Sequence, residues 1–188
     1  FPGDRNAEQK KRDYIGAMAR LVDFAVENHG ASVYFMPQGN GPGYNDISIS
    51  KDILASARRK DNITLIDEDL SPQELKTLYG FMDVFVGVRM HANIFALGSQ
   101  VPVLAVAYEP KTLGIMRMLG LEEFVVDIRS LDKEKLESKL ETLISEKDRI
   151  KTHLSAHLDD ICQRASESGR ITAEFLKARL TVEHGLAK

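Results

Sequence analysis

Val84-Phe85-Val86-Gly87-Val88-Arg89-Met90-His91-Ala92-Asn93-Ile94-Phe95-Ala96-Leu97, followed after a short break by Val103-Leu104-Ala105-Val106-Ala107, decides the fold. An apolar run, a stretch of small and apolar residues and a second apolar run spell strand, helix, strand. Neither run alternates polar with apolar residues, so both faces of each strand must be covered, as in a parallel sheet between two layers of helices. Three more short runs rich in β-branched or aromatic residues have the same character: Ser32 to Met36, Ile63 to Ile66 and Phe124 to Val126.

The segments between these runs read as helices over Asp46 to Lys60, Pro72 to Phe81, Met90 to Leu97 and Lys111 to Leu119, and another covers Asn6 to Gly30. Ser71-Pro72-Gln73-Glu74 has the form of a capping box with proline at the first helical position. Strand and helix in alternation, with right-handed crossovers, predict an α/β fold: a Rossmann-like, doubly wound parallel sheet of about five strands.

Beyond residue 131 the pattern changes. Asp132 to Cys162 carries Leu136, Leu140, Leu143, Ile144, Ile150, Leu154, Leu158 and Ile161 at helical spacing, predicting one long helix or two abutting ones. Gly169 is expected to interrupt it, and a last amphipathic helix, Ile171 to Leu180, presents Phe175, Leu176 and Leu180. Nothing in the sheet calls for that helix, so residues 131–188 are expected to pack in part on a further domain, with residues 1–130 forming the sheet and its crossover helices.

At 188 residues and 43% hydrophobic, the chain can bury one good core but not two ordinary ones. Its 25 Lys and Arg against 28 Asp and Glu leave a net charge of -3, with no basic excess to neutralise nucleic-acid phosphates. The single cysteine, Cys162, excludes an internal disulfide and a Cys-rich zinc site and suits a reducing compartment. No apolar run nears the roughly 20 residues that span a bilayer. The expectation is a cytoplasmic protein, at most peripheral to the inner face of the membrane. Phe1-Pro2-Gly3 has the look of a linker, suggesting a piece of a longer polypeptide.

In an open parallel sheet, ligands bind beyond the carboxyl ends of the strands, where helix N-termini present unpaired N–H groups. Arg89 and His91 flank the start of one such helix and Lys111 begins the next. Cations at the positive end of a helix do not serve helix stability, whereas an anion between them would remove the cost. The ordinary alternative pairs Arg89 with Asp67 or Asp83, gives His91 a turn carbonyl and leaves Lys111 solvated. Gln38, Asp46, Asn93, Tyr108 and Glu109 lie on the same post-strand segments and are candidates for substrate binding, Asp46 as helix cap or as acceptor of a sugar hydroxyl. The Gly39 to Gly43 loop, broken by Pro42, departs from the G-x-G-x-x-G spacing of dinucleotide binders and reads as a flexible loop. Asp67-Glu68-Asp69 and the His153, His157 pair lack the donor set of a metal site, so no metal or cofactor is expected.

Met82 to Leu97 with its R-x-H, then Val101-Pro102-Val103 and the Y-x-x-K of Tyr108 to Lys111, resembles the C-terminal half of the polysaccharide pyruvyl transferase family. The resemblance implies the second half of a GT-B-like two-domain enzyme whose first half lies elsewhere in the polypeptide. It implies transfer of pyruvate from phosphoenolpyruvate, as co-substrate, to two hydroxyls of a sugar or lipid-linked oligosaccharide acceptor in exopolysaccharide synthesis. Arg89, His91 and Lys111 would be the donor-site residues, with His91 as proton donor or phosphate ligand. The chain alone is expected to bind donor weakly and to turn over nothing. Two other readings stay open: a nucleotide-sugar-dependent GT-B glycosyltransferase domain, and a non-catalytic carbohydrate or assembly module, for which the absence of Trp and the five Tyr offer few stacking platforms.

Overall fold

The strand over Val103–Ala107 lies at the centre of the core, with every residue buried and Leu104, Ala105 and Val106 wholly enclosed. It could be covered on both faces only because its sequence is apolar at every position. A computed structural model describes residues 6–41 and 44–185 and shows where the cover comes from. In chain order the elements are α1 (Ala7–His29), β1 (Val33–Phe35), β2 (Asn40–Gly41), β3 (Tyr44–Asn45), α2 (Asp46–Ser56), β4 (Ile63–Leu65), α3 (Pro72–Tyr79), β5 (Phe85–Gly87), α4 (Met90–Gly98), β6 (Val103–Ala107), α5 (Pro110–Met118), β7 (Val125–Asp127), α6 (Lys133–Ser145) and α7 (Lys147–Gly185). Helices α4 and α5 pack on one face of β6 and α6 on the other, with α1 beside α6, α2 beside α1 and α3 beside α4.

The five expected strands are present as β1, β4, β5, β6 and β7, and all their pairings are parallel. They do not form one sheet. Among the described residues β1 pairs only with β4, Val33 opposite Ile63, while β5, β6 and β7 make a separate sheet with Phe85 opposite Val103 and Ala105 opposite Val125. Between β1 and β5 runs a cleft of about 520 Å³. The single doubly wound sheet is thus corrected to two parallel sheets, of two and three strands, because β1 and β5 are not hydrogen-bonded to each other.

Local chemistry sets the element ends. α1 stops where Gly30 turns left-handed at φ 61°, its N–H bonding the carbonyls of Ala25 and Val26. α3 starts at the predicted capping box: Ser71 Oγ accepts the Glu74 N–H, and the Glu74 carboxylate accepts the Ser71 N–H at 2.8 Å. α2 ends at Ser56, short of the predicted Lys60. The buried Asp23 on α1 accepts the backbone N–H groups of Arg58 and Arg59 at 2.8 and 2.9 Å and so draws the chain out of the helix.

The C-terminal pattern resolves into two helices that meet at Glu146. Leu136, Leu140 and Leu143 of α6 and Ile150 and Leu154 of α7 are buried, so residues 133–154 belong to this core. Gly169 does not interrupt the helix, and the separate last helix is corrected to a continuation of α7. One glycine costs about 1 kcal/mol relative to alanine, and the ion pairs of Arg170 with Glu167 and Glu174 span the position. Ile171, Phe175 and Leu176 are exposed on this stretch, and the side chain of Leu180 lies outside the described residues. The predicted flexible loop is a small hairpin in its described part, with Asn40 opposite Asn45 and Gly41 opposite Tyr44; Pro42 and Gly43, like Phe1 to Gly3, lie outside the described residues. Among the described residues no helix is long and apolar enough to cross a membrane.

Candidate active site

Parallel pairing turns the carboxyl ends of β5 and β6 to one edge of their sheet, and α4 and α5 start from that edge. Arg89 is the N-cap of α4 and His91 stands in its first turn; Glu109 is the N-cap of α5, with Pro110 and Lys111 as its first two residues. Neither N-cap side chain makes a capping hydrogen bond, so among the described residues both positive ends keep donors for solvent or a ligand. His91, Glu109 and Lys111 are exposed, and neither His91 nor Lys111 has a hydrogen bond or ion pair among the described residues. The structure therefore sets the two side chains on adjacent helix starts without bonding them to each other.

Arg89 is engaged. Its Nε and Nη2 donate to the two carboxylate oxygens of Asp46 at 2.6 and 2.7 Å. The internal partner is neither Asp67, which is exposed, nor Asp83, which Lys147 holds at 2.9 Å. Gly39 makes the approach feasible, since a Cβ there would come within 2.7 Å of Arg89 Nη2. Asp46 is not the helix cap that its position suggested. Asn45 takes that role, its side chain accepting the Ser48 N–H at 2.8 Å. Asp46 instead receives the N–H groups of Gln38 and Gly39 at 3.2 and 3.0 Å in addition to Arg89. Burial pushes its carboxyl up, but the hydrogen bonds and charge of Arg89 and the two amides outweigh this and hold it below the ordinary carboxylate range.

Two tyrosines that the sequence reading passed over complete this wall. Gln38 Nε2 donates to the hydroxyl of Tyr79 at 3.0 Å, and Tyr79 is wholly buried against Phe85. Tyr14 of α1 lines the cleft, and its phenol is pushed up to about 12 by burial and by the nearby Asp46 charge. The available signal was a tyrosine within an apolar helical face, whose hydroxyl needs a polar neighbour. Tyr108 is half exposed on the rim of the cleft.

Asn93 is placed differently from the other candidates. It is 1% exposed beneath the edge, and neither its amide nitrogen nor its oxygen has a hydrogen-bond partner, as is also true of Thr112 Oγ1 on α5. Its Oδ1 occupies the space where a side chain on Gly87 would begin. Beyond β7, Asp127 is held down at about 2 by hydrogen bonds from the Arg129 side chain and amide, which commits Arg129 locally. His153 bonds the Leu119 carbonyl at 2.7 Å and stacks on His157, and among the described residues no three His, Cys, Asp or Glu side chains gather as metal ligands would.

An exposed lysine and an exposed histidine at two helix N-termini over the carboxyl edge of an α/β sheet have the chemistry of an anion-binding edge. Residues 3–110 match the polysaccharide pyruvyl transferase family, more than half of the sequence, and the chain belongs to that family. It is also similar to the amylovoran biosynthesis protein AmsJ of Erwinia amylovora, with 23% identity over 180 residues, covering 94% of this chain. The chain spans 42% of the length of that relative. No solved structure gives a significant match.

Proposed function

We propose that this chain is the donor-side half of a GT-B-like enzyme that transfers pyruvate from phosphoenolpyruvate onto two hydroxyls of a sugar in an exopolysaccharide or its lipid-linked precursor. Family membership supports the transferase, and the relative named for amylovoran biosynthesis supports a polysaccharide setting. The observation that carries the donor assignment is the exposed Lys111 ammonium and His91 imidazole at neighbouring helix N-termini, neither with a hydrogen bond or ion pair among the described residues, next to the Arg89 guanidinium. Phosphoenolpyruvate has a phosphate and a carboxylate, and two anionic groups at fixed spacing need more than one cationic point.

The reaction places a proton on the methylene carbon of the donor, which creates a cationic centre at its neighbouring carbon. His91 supplies that proton. One sugar hydroxyl attacks the cationic carbon and returns a proton to the imidazole; the C–O bond to phosphate then breaks, and the second hydroxyl closes the ketal, its proton leaving with phosphate. Lys111 neutralises one anionic group, and Arg89, steadied by Asp46, places positive charge beside the other. Tyr108 and Glu109 border the acceptor, and the first half of the enzyme supplies the rest of its contacts.

Calorimetry on the full-length polypeptide tests this reading against a nucleotide-sugar donor. Phosphoenolpyruvate is expected to bind, and Lys111→Ala to weaken it by about tenfold or more, the equivalent of one charge-assisted hydrogen bond. Binding of uridine or guanosine diphosphosugars with none of phosphoenolpyruvate would overturn it.

A further inference from the structure

We propose that the cleft between β1 and β5 receives one more parallel β-strand, supplied by the polypeptide that leads into α1. This holds independently of the reaction proposed above. The two walls of the cleft are unpaired strand edges. In β1 the Val33 N–H donates to the Asn62 carbonyl at 2.8 Å, and the Phe35 carbonyl accepts the Ile66 N–H at 2.9 Å, so these two residues serve β4. Backbone groups of an extended chain alternate sides, so the N–H and C=O of Tyr34 face the cleft. In β5 the Phe85 N–H donates to the Pro102 carbonyl at 2.8 Å, which turns Phe85 and Gly87 to β6 and Val86 to the cleft. Among the described residues neither edge has a partner strand on that side.

The cover of the cleft is apolar. Met18 and Val22 of α1, Ile49 of α2 and Ile144 of α6 line it, together with Tyr34 and Val86. Apolar cover combined with a row of amide donors and acceptors on each side matches one kind of guest, an extended peptide with apolar side chains. A hydrocarbon or a helix would leave both edges unpaired. Tyr34 is 46% exposed although it sits in mid-strand, as expected of an edge awaiting its neighbour.

Topology identifies the occupant. α1 ends at Gly30, just before the amino end of β1, and its Tyr14 lies near enough to Asp46, at the carboxyl edge, to feel its charge. The helix therefore runs antiparallel to β1, as a crossover helix does, and starts at the carboxyl edge. A strand in the cleft parallel to β1 and β5 would end at that edge and need only a short turn to enter α1. The strand order becomes β4, β1, inserted strand, β5, β6, β7, the 3-2-1-4-5-6 order of the Rossmann fold, with α1 and α2 on one face and α3, α4 and α5 on the other. The point where that order reverses then falls between the inserted strand and β5, directly at Arg89. The strand both closes the core and delivers its carboxyl end to the candidate site.

The test is residue-resolved hydrogen exchange on the full-length protein. The Tyr34 and Val86 amides are expected to exchange within about tenfold of the Phe35 and Phe85 amides, which are bonded within the observed sheets, and to do so at any protein concentration. Tyr34 and Val86 exchanging about a hundredfold faster than those references would overturn the proposal. Protection that appears only as concentration rises would assign the cleft to a second copy and overturn it equally. Contacts between the Tyr34 amide and an α-proton of a residue preceding α1, read by nuclear Overhauser effects, are the positive signature.

Discussion

Arg89 at the end of β5 and Asp46 at the start of α2 hold each other by two hydrogen bonds, 2.6 and 2.7 Å long, and so tie the two separate sheets together at the mouth of the cleft between them. The pair lies 43 residues apart in sequence and is about two-thirds buried on each side, which gives it more weight than a surface ion pair. It also fixes the guanidinium in one orientation beside the start of α4, where the site begins.

That pair makes stability depend on pH in a defined direction. Because the Asp46 carboxyl is held below its ordinary value of 3.8, its contribution is fully present above that value and is lost as pH falls through the lower, folded-state value. Asp46→Asn, which keeps the shape and removes the charge, is expected to cost about 1–3 kcal/mol near neutrality. The gap between the two proteins in urea denaturation should close below about pH 4. A gap of constant size down to pH 2 would mean that Asp46 acts through packing alone.

Gly87 is the most tightly enclosed of the described glycines. A Cβ there would fall 1.6 Å from Asn93 Oδ1 and 2.7 Å from Phe85 Cε1, and Asn93 is buried. Gly87→Ala is expected to cost about 3 kcal/mol or more, at the upper end of overpacking effects. Asn93 makes no hydrogen bond that truncation would sever. Adding Asn93→Ala to the glycine variant should therefore restore at least about 1 kcal/mol, a coupling that a double-mutant cycle measures directly. Strict additivity of the two changes would place the clash elsewhere.

The same neighbourhood shows what the sequence does and does not disclose. The strands, the Gly30 stop and the Ser71 capping box depend on residues within a few positions of each other, and local pattern suffices to read them. The split between β1 and β5 is a matter of which strands meet, and no periodicity encodes that. Arg89 was legible as a cation at a helix start, but its partner was not, because Asp46 arrives through a crossover and takes its position from the Gln38 and Gly39 amides. Gly169 misled for the opposite reason: a local breaker was overruled by the length of the helix and by its flanking ion pairs.

His91 separates a chemical role from a structural one. It is exposed and has no hydrogen bond or ion pair among the described residues, so His91→Gln should leave the unfolding free energy of the full-length protein unchanged within about 0.5 kcal/mol. If the imidazole protonates the donor carbon, the same substitution lowers kcat by about 10²–10⁴-fold, the range of general acid catalysis. Phosphoenolpyruvate affinity should change far less than in Lys111→Ala, because the lysine meets a charge already present in the ground state whereas the proton transfer occurs only on the way to the transition state. Reaction in D2O adds an independent readout: protonation of the methylene leaves one deuterium in the methyl group of the ketal. An unchanged kcat in His91→Gln would remove His91 from the proton path, and a ketal methyl free of deuterium would rule out methylene protonation altogether.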